Sequence, residues 1–227
     1  MAQALEHRHE RKFLVDQLDA KQLQGLVRLH PQLFHEPYPP RHVNNIYFDT
    51  PDMDCYRDNV DGVANRCKAR VRWYGGLLGP VARPVLEFKI KTGALGRKVS
   101  FPLPSLDVGR SLDRGSLRRL LLSSNLPPEW EERVRVMAPV LMNRYRRRYY
   151  VSRDQRYRLT IDSELEFRRV EMLGNRFLHR QEDRFTVILE LKYGAADDNG
   201  AGRLAGFFPF PRTKSSKYVQ GIERVFF

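Results

Sequence analysis

The residues of this sequence that most clearly could do chemistry are cations at alternate positions of one segment. In the segment ANRCKARVRW, at positions 64–73, the cations are Arg66, Lys68, Arg70 and Arg72. Because side chains two residues apart share one face of a β-strand, these cations would line one face and the small or apolar residues the other. A row of like charges of this kind indicates a polyanionic ligand.

Carboxylates recur among the cations of other segments that alternate in the same way. Glu10 lies two positions before Lys12, and Glu87 lies two positions before Lys89. Lys91 shares the face of Glu87 and Lys89. Further ionic faces are formed by Arg144, Arg146 and Arg148; by Arg156, Arg158, Thr160 and Asp162; and by Glu190 with Lys192. Carboxylate oxygens are typical ligands of hard divalent cations, so the pattern predicts a surface that could hold a metal together with an anion.

The elements that would position these residues are strands. Period-two alternation predicts eight of them, at residues 6–15, 42–49, 64–73, 84–91, 96–101, 139–151, 156–167 and 184–193.

Helical spacing is rarer. It predicts one helix that carries Leu18, Leu23 and Val27, with Asp16 or Asp19 as N-cap. Two more short helices are predicted within 115–137, separated by Pro127 and Pro128, and the segments 105–114 and 194–206 are predicted to be loops.

An ionic face on strand after strand has two explanations. An antiparallel sheet commonly has one solvated face, but a face that is merely soluble would mix charge signs, because like charges opposite one another destabilise a sheet. Closure of the eight strands into a barrel would place the charged faces in the lumen, which has room for one slim ligand. Burial of so many cations needs counter-charge, which favours a phosphate chain held with a divalent metal. The predicted fold is therefore mainly β with accessory helices (α+β), an eight-stranded antiparallel β-barrel tunnel with a charged lumen and helices packed outside.

Length and composition agree with a folded catalytic or binding domain. The 227 residues favour one domain, 1–227, and 40 Lys and Arg against 27 Asp and Glu give a net charge of +13. The hydrophobic content of 41% argues against global disorder. The sequence contains no run of 18 apolar residues and no apolar N-terminal stretch, so we expect a soluble, cytoplasmic protein without membrane insertion. Cys55 and Cys67 form no C-x-x-C pair, which argues against a disulfide framework or structural zinc.

Several strings, taken in order, resemble one protein family over nearly the whole chain. They are RHERKFLV, NNIYFDTPDMDCYRD, KARVRWYGG, LEFKIKTG, MNRYRRRYY, RLTIDSELEF, VILELKY and TKSSKYVQGI. In this order and spacing they resemble the catalytic domain of the vacuolar transporter chaperone (VTC) polyphosphate polymerases, within the triphosphate tunnel metalloenzyme (CYTH-like) superfamily. The resemblance implies an eight-stranded antiparallel tunnel.

The resemblance also implies roles for individual residues. It assigns phosphate contacts to Lys12, Arg70, Arg72, Lys89, Arg144, Arg158, Lys214 and Lys217. The alternation adds Arg8, Lys68, Lys91, Arg146 and Lys192 as candidates, with Ser216 as a hydrogen-bond partner of phosphate or backbone. The candidate catalytic residues are Lys12, Arg70, Arg72 and Glu190. Arg147 and Arg169 fall on the opposite faces and are expected to be solvated.

A metal is implied at Glu190, which matches the family's metal-binding glutamate and suits Mn²⁺ or Mg²⁺. The chain begins with R-x-E-x-K, with Arg8 where many tunnel hydrolases and cyclases have a glutamate. One metal is therefore favoured over two, although Glu10, Glu87 and Asp162 are candidate ligands for a second ion.

The sequence predicts metal-dependent phosphoryl transfer, with polyphosphate made from the terminal phosphate of ATP. The expected partners are ATP or another triphosphate, pyrophosphate and polyphosphate, and no nucleic acid is expected. A membrane-protein partner and the oligomeric state stay open. Two alternatives remain: a tunnel triphosphatase that hydrolyses inorganic triphosphate or a nucleoside triphosphate, and a non-enzymatic module that binds polyphosphate or RNA. The sequence contains neither a P-loop nor a protein-kinase catalytic string.

Overall fold

The computed structural model describes residues 8–93, 95–109, 112–171 and 179–227, the side chains of Arg8 and Leu95 excepted. The chain divides into two compact units. Unit one comprises the described residues of Met1–His42, Tyr145–Leu165 and Glu182–Ser215, and unit two those of Val43–Arg144, Glu166–Gln181 and Ser216–Phe227.

Strands dominate the described residues. Their bounds are β1 Arg8–Val15, β2 Arg41–Asp49, β3 Asn65–Tyr74, β4 Gly79–Val81, β5 Val85–Thr92, β6 Leu95–Pro102, β7 Leu106–Val108, β8 Ala138–Val151, β9 Tyr157–Arg169, β10 Arg180–Asp183 and β11 Val187–Gly194. The main sheet runs in the order β1-β11-β9-β8-β2-β3-β5-β6, with β10 paired to β9, and β4 and β7 form a separate two-stranded sheet.

The eight strands of the main path are those that alternation predicts, and the mainly antiparallel β architecture with accessory helices is confirmed. The predicted first strand includes residues 6 and 7, which lie outside the described residues. The short strands β4, β7 and β10 were not predicted, because three or four residues are too few for alternation to register.

The helices are short. Their bounds are α1 Ala20–Leu29, α2 Asp54–Val60, α3 Arg114–Leu122, α4 Pro128–Arg135, α5 Asp198–Gly206 and α6 Lys217–Phe226, with a 3₁₀ turn at Ala195–Asp197. The predicted helices α1, α3 and α4 are confirmed, and Asp19 is the N-cap of α1, since its carboxylate accepts hydrogen bonds from the backbone N–H groups of Lys21 and Gln22. Pro128 is the first residue of α4, where the missing N–H of proline removes no helical bond.

The loop predictions are wrong in part. Residues 105–114 contain β7 and the first residue of α3, and residues 194–206 contain the 3₁₀ turn and α5. Gly200, Gly202 and Gly206 lower the helix propensity of α5, so packing rather than local preference holds this helix: Ala201, Leu204 and Ala205 are buried.

Unit one places its apolar core on one side of β1, β9 and β11. Phe13, Leu159 and Leu189 from these strands join Leu23 of α1 and Leu204 of α5 in one buried cluster. The alternate residues of the same strands are therefore the ones left to form the ionic face.

Unit two has a second core, under α3 and α4. The ring of Trp130 lies 4.5 Å from the ring of Phe88 on β5 and 6.0 Å from that of Phe101 on β6, while Leu117 and Leu121 of α3 are buried. This packing fixes the apolar face of β5, so Glu87 and Lys89 belong to the other face.

Candidate functional site

An ionic cluster in unit one, called here the Glu190 cluster, is formed by β1, β8, β9 and β11. Its members are Glu10, Lys12, Arg147, Thr160, Asp162, Glu190 and Lys192. In the antiparallel register Lys12 lies opposite Glu190, which lies opposite Thr160. Residues directly opposite in neighbouring strands share a face, so the pairing brings these side chains together.

Glu190 is the carboxylate at the centre of this cluster. It is 5% exposed. Its carboxylate oxygens lie 3.5 Å from Lys12 Nζ, 3.4 Å from Lys192 Nζ and 3.4 Å from an Arg147 nitrogen, and Thr160 Oγ1 lies at 3.5 Å. Lys12 Nζ also lies 3.0 Å from Glu10 Oε1. A single buried carboxylate thus holds three cations in place.

Arg147 corrects one sequence prediction. It was expected to be solvated, but it is 7% exposed and donates two hydrogen bonds of 2.6 Å to the two oxygens of Asp162, itself fully buried. Burial alone would lower the pKa of Arg147, but the charges of Asp162 and Glu190 outweigh it and raise that pKa. The guanidinium therefore stays charged at every working pH. Arg169 was also expected to be solvated; it is half-buried, with its guanidinium 4.5 Å from the ring of Phe226.

A second ionic cluster, called here the Glu87 cluster, lies in unit two. Its members are Asn45, Tyr47, Lys68, Arg70, Arg72, Glu87, Lys89, Lys98 and Asn143. Glu87 accepts a hydrogen bond of 2.8 Å from Arg70 Nε and lies 3.4 Å from Arg72 Nη1 and 3.2 Å from Lys98 Nζ. Burial by itself raises the pKa of Glu87, but these three cations outweigh it and lower that pKa to about 2.

Two buried asparagines position Arg72. Arg72 Nε donates to Asn45 Oδ1 at 3.0 Å, and Asn45 Nδ2 donates to Asn143 Oδ1 at 2.8 Å. Asn143 is 1% exposed, and its Nδ2 has no hydrogen-bond partner among the described residues. A buried donor without an acceptor is costly in a closed core, so it is typical of a site that awaits an anion or water.

Three lysines face one another across β3, β5 and β6. Lys68 lies opposite Lys89, and Lys89 lies opposite Lys98. Like charges in this arrangement destabilise a sheet, so a bound anion would relieve their repulsion. Lys98 was not among the predicted site residues; its place in the alternating segment 96–101 was the available signal.

Of the last predicted residues, Ser216 contacts the Glu87 cluster. In unit two, Lys68 Nζ donates to Ser216 Oγ at 3.0 Å, and the half-buried Lys217 is the first residue of α6. In unit one, Lys12 Nζ donates to the backbone carbonyl of Ser215 at 3.2 Å, whereas the side chain of Lys214 is exposed.

Two residues that sequence reasoning missed hold α6. The Tyr218 hydroxyl donates to Asp49 Oδ2, Asp49 also accepts from the backbone N–H groups of Cys55 and Tyr56, and the Tyr218 ring lies 5.1 Å from that of Tyr47. Burial, and then the charge of Asp49, raises the pKa of Tyr218. The signal in the sequence was an Asp at the end of a predicted strand.

The structure brings other predicted residues less close to the clusters. Arg158 lies opposite Lys192 and is exposed. Arg146 Nη1 lies 3.2 Å from Glu164 Oε1. On β8, Arg144 and Arg146 alternate with Arg147, so their side chains lie on the face of the strand opposite to that of Arg147. Of the remaining two, Lys91 is half-buried, and the side chain of Arg8 lies outside the described residues.

The predicted metal ligands are distributed between the clusters. Glu10, Asp162 and Glu190 belong to unit one and Glu87 to unit two, and within the described part of the chain no three His, Cys, Asp or Glu residues group closely enough to hold a metal by themselves. One carboxylate is sufficient for Mg²⁺ or Mn²⁺ when substrate phosphates and water supply the other oxygens. Glu190, with Thr160 beside it, fits that limited role, because the cations around it lie at 3.4–3.5 Å. Glu87 and Asp162 instead accept arginine hydrogen bonds of 2.8 and 2.6 Å.

The sequence belongs to the VTC domain family, which matches residues 7–226. No curated protein matches the chain closely enough to count as a relative. None of the helices in the described ranges is long and apolar enough to cross a membrane.

Three solved structures show the same fold. A candidate adenylate cyclase from Vibrio parahaemolyticus has a TM-score of 0.53 and 12% identity, with 95% of this chain and 98% of that chain covered. One from Bacillus halodurans has a TM-score of 0.52 and 16% identity, with coverages of 95% and 97%. A candidate adenylyl cyclase from Hippeastrum, described as having a dominant triphosphatase activity, has a TM-score of 0.51 and 14% identity, with coverages of 95% and 96%. These likenesses, with the family match, confirm the predicted tunnel-type antiparallel fold.

Proposed function

We propose that this protein is a metal-dependent phosphoryl-transfer enzyme that uses the terminal phosphate of ATP to extend polyphosphate. The observation that carries the proposal is the Glu190 cluster, in which one buried carboxylate holds Lys12, Arg147 and Lys192 within 3.5 Å. These cations are already partly buried beside a carboxylate, so phosphate oxygens can replace the carboxylate without a further cost of removing the cations from water. Membership of the VTC domain family supports the same substrate class.

The reaction needs positioning and charge neutralisation more than covalent chemistry from the protein. The bond between the γ-phosphorus and its bridging oxygen breaks, a bond forms between that phosphorus and a terminal oxygen of the acceptor phosphate, and ADP leaves. Lys12 and Arg147 would neutralise the negative charge on the transferred phosphoryl group, and Arg70 and Arg72 are proposed separately as phosphate contacts within unit two. Preorganised arginines suit this task because carboxylates and asparagines already fix their guanidinium planes.

Glu190 would hold the divalent cation, Mn²⁺ or Mg²⁺, which when bound supplies charge neutralisation at the phosphate oxygens. Thr160 and Asp162 would orient the groups around it: Thr160 lies beside Glu190, and Asp162 fixes Arg147. We also propose Glu10 as the group that keeps Lys12 in place, since Lys12 Nζ lies 3.0 Å from Glu10 Oε1.

Hydrolysis is the second candidate. The Hippeastrum protein that shares this fold is described as having dominant triphosphatase activity, and transfer differs from hydrolysis only in the acceptor. In that case water would take the place of the acceptor phosphate, and a carboxylate such as Glu10 would act as general base. Product analysis separates the two.

The test is incubation of the purified protein with ATP and Mn²⁺, with and without pyrophosphate as primer. Products are resolved on a polyphosphate gel while free phosphate is assayed. Long polyphosphate chains that form only with the metal support the polymerase, and free phosphate without chains supports the triphosphatase. If neither product forms but the protein still binds polyphosphate, the result supports a non-enzymatic binding module.

Glu190→Gln is the decisive variant, since it keeps the size of the side chain and removes its charge. We expect turnover to fall by about a hundredfold or more. Glu132→Gln is the matched control, because Glu132 is exposed on α4. Full metal-dependent turnover in Glu190→Gln would refute the assignment of Glu190.

A further inference from the structure

Tyr38 is an exposed aromatic residue held in a stiff segment of unit one. Its side chain is 58% exposed. Its neighbours are Pro37, Pro39 and Pro40, in the sequence PYPP that leads into β2. Because each proline fixes its own φ and restricts the residue before it, the ring is presented with little conformational freedom to lose.

The ring of Tyr38 is not isolated. It meets the ring of Tyr149 edge to face, with centroids 6.0 Å apart and an interplanar angle of 88°. The Arg41 guanidinium lies 4.9 Å from the Tyr149 centroid, and its Nε donates to the Tyr149 hydroxyl at 3.2 Å. Two aromatic rings and one cation therefore form a small, ordered surface.

This surface is continuous with the Glu190 cluster. On the β8 side, the Arg147 guanidinium lies 5.9 Å from the Tyr149 centroid, and the same guanidinium contacts Glu190 at 3.4 Å and Asp162 at 2.6 Å. A nucleoside triphosphate is longer than its phosphate chain by a sugar and a base. If its phosphates occupy the Glu190 cluster, the base needs a surface a few ångströms beyond Arg147.

We propose that Tyr38, with Tyr149 and Arg41 beside it, is a base-stacking subsite that makes a nucleoside triphosphate, rather than inorganic triphosphate, the preferred donor. This inference rests on the proposed function, because it assumes that phosphates bind at the Glu190 cluster. An exposed tyrosine face stacks on any base, and purines offer the larger surface. The expected preference is therefore for ATP and GTP alike over CTP and UTP, with Arg41 placed to meet the sugar or the first phosphate.

Equilibrium binding tests the subsite without depending on turnover. Calorimetric titrations compare a non-hydrolysable ATP analogue with inorganic tripolyphosphate, for the wild type and for Tyr38→Ala and Tyr38→Phe. We expect Tyr38→Ala to weaken the nucleotide about five- to tenfold and tripolyphosphate less than twofold, because only the nucleotide has a base to stack. Tyr38→Phe, which keeps the aromatic face, should bind the nucleotide like the wild type.

Phe185→Ala is the matched control. Phe185 is 87% exposed, belongs to the same unit, and lies outside the Tyr38 surface. Equal weakening of both ligands by Tyr38→Ala, or no weakening of either, would overturn the subsite. If neither the wild type nor any variant binds either ligand, both the subsite and the proposed function are overturned. If the ligands bind but no triphosphate is turned over, the proposed function alone fails, and the subsite stands or falls on whether Tyr38→Ala separates the two ligands.

Discussion

Glu87 couples the stability of unit two to pH. Its folded pKa is about 2, against an ordinary value of 4.5, because Arg70, Arg72 and Lys98 surround a carboxylate that burial alone would have protonated more readily. A carboxylate whose pKa is lowered by folding stabilises the folded state above its unfolded pKa. That stabilisation is lost as the pH falls from about 4.5 towards 2. By linkage it amounts to something on the order of 3 kcal/mol.

Urea unfolding of the wild type and Glu87→Gln at steps from pH 7 to pH 2 measures this contribution. The variant should be less stable at pH 7, where three cations have lost their counter-charge, and the two free energies of unfolding should converge below pH 3. Glu132→Gln, on exposed α4, should track the wild type throughout. Parallel curves for Glu87→Gln and wild type would contradict the assignment.

Arg147 and Asp162 form a buried ion pair whose partners depend on each other. Both hydrogen bonds are 2.6 Å, and Asp162 is fully buried, so Arg147→Met removes the bidentate partner of a buried carboxylate. We expect a loss of about 3–5 kcal/mol in the free energy of unfolding, measured by urea titration. Adding Asp162→Asn to Arg147→Met should recover part of that loss, which the double-mutant cycle reports as coupling.

Arg184→Met is the control for removal of an arginine. Arg184 is exposed and its Nη2 lies 2.7 Å from Glu182, so its loss should cost less than about 1 kcal/mol. If the losses in free energy of unfolding caused by Arg147→Met and Asp162→Asn simply add in the double variant, the two residues are not energetically coupled and the explanation is wrong.

Arg147 also shows where prediction from the sequence failed. On β3, β5 and β11 charge falls on one parity only, so alternation predicts which side chains share a face. On β8 arginines occupy both parities, at 144, 146, 147 and 148, and Tyr145 and Tyr149 are amphipathic. The buried position of Arg147 depends on Asp162 and Glu190, which lie 15 and 43 positions further along the chain. No local pattern could supply that contact.

Among the elements, α6 packs more closely than its sequence suggests. A Cβ at Gly221 would lie 2.5 Å from Leu141 Cδ2 and 2.6 Å from Phe167 Cδ1. Gly221→Ala would therefore push α6 away from β8 and β9. We expect a destabilisation of about 1–3 kcal/mol, measured as a lower midpoint in urea unfolding.

Gly25 in α1 offers the opposite case. Nothing lies within 4 Å of a Cβ placed there, and the residue is inside a helix, so Gly25→Ala should stabilise by about 0.5–1 kcal/mol. Two Gly→Ala changes of opposite sign would show that close packing, rather than helix propensity, requires Gly221. Destabilisation by both, to the same degree, would refute this explanation.

At the scale of elements, alternation found every long strand, whereas helical spacing missed α2, α5 and α6. The α6 segment KYVQGIERVF has an N-cap signal, Ser216, but Gly221 interrupts its apolar spacing, and α5 contains Gly200, Gly202 and Gly206. In α5 and α6 burial outweighs propensity. Such helices become predictable only once the surface that they cover is known.

At the scale of the whole molecule, a net charge of +13 opposes folding by self-repulsion. The sequence could predict from this charge that the ligand is a polyanion, because cations outnumber carboxylates on the alternating faces. It could not predict how the protein tolerates that charge without ligand. The structure shows that Glu10, Glu87, Asp162 and Glu190 form ion pairs with cations of the two clusters, each within its own unit.

Tripolyphosphate should therefore raise the thermal midpoint of this protein by more than its ionic strength explains. Simple salt only screens repulsion between surface charges. A ligand that binds only the folded state, at a free concentration of about a hundred times its Kd, adds on the order of 2.7 kcal/mol to the free energy of unfolding. For a chain of this size that raises the thermal midpoint by roughly 5–10 °C. Scanning calorimetry in tripolyphosphate and in sodium chloride of equal ionic strength separates the two effects.

Lys89→Gln sharpens the test, because Lys89 lies opposite both Lys68 and Lys98. This variant should gain less from tripolyphosphate than the wild type does, because one of the cations that the anion would contact is gone. Equal midpoints in tripolyphosphate and matched sodium chloride would mean that the cations serve no anion site.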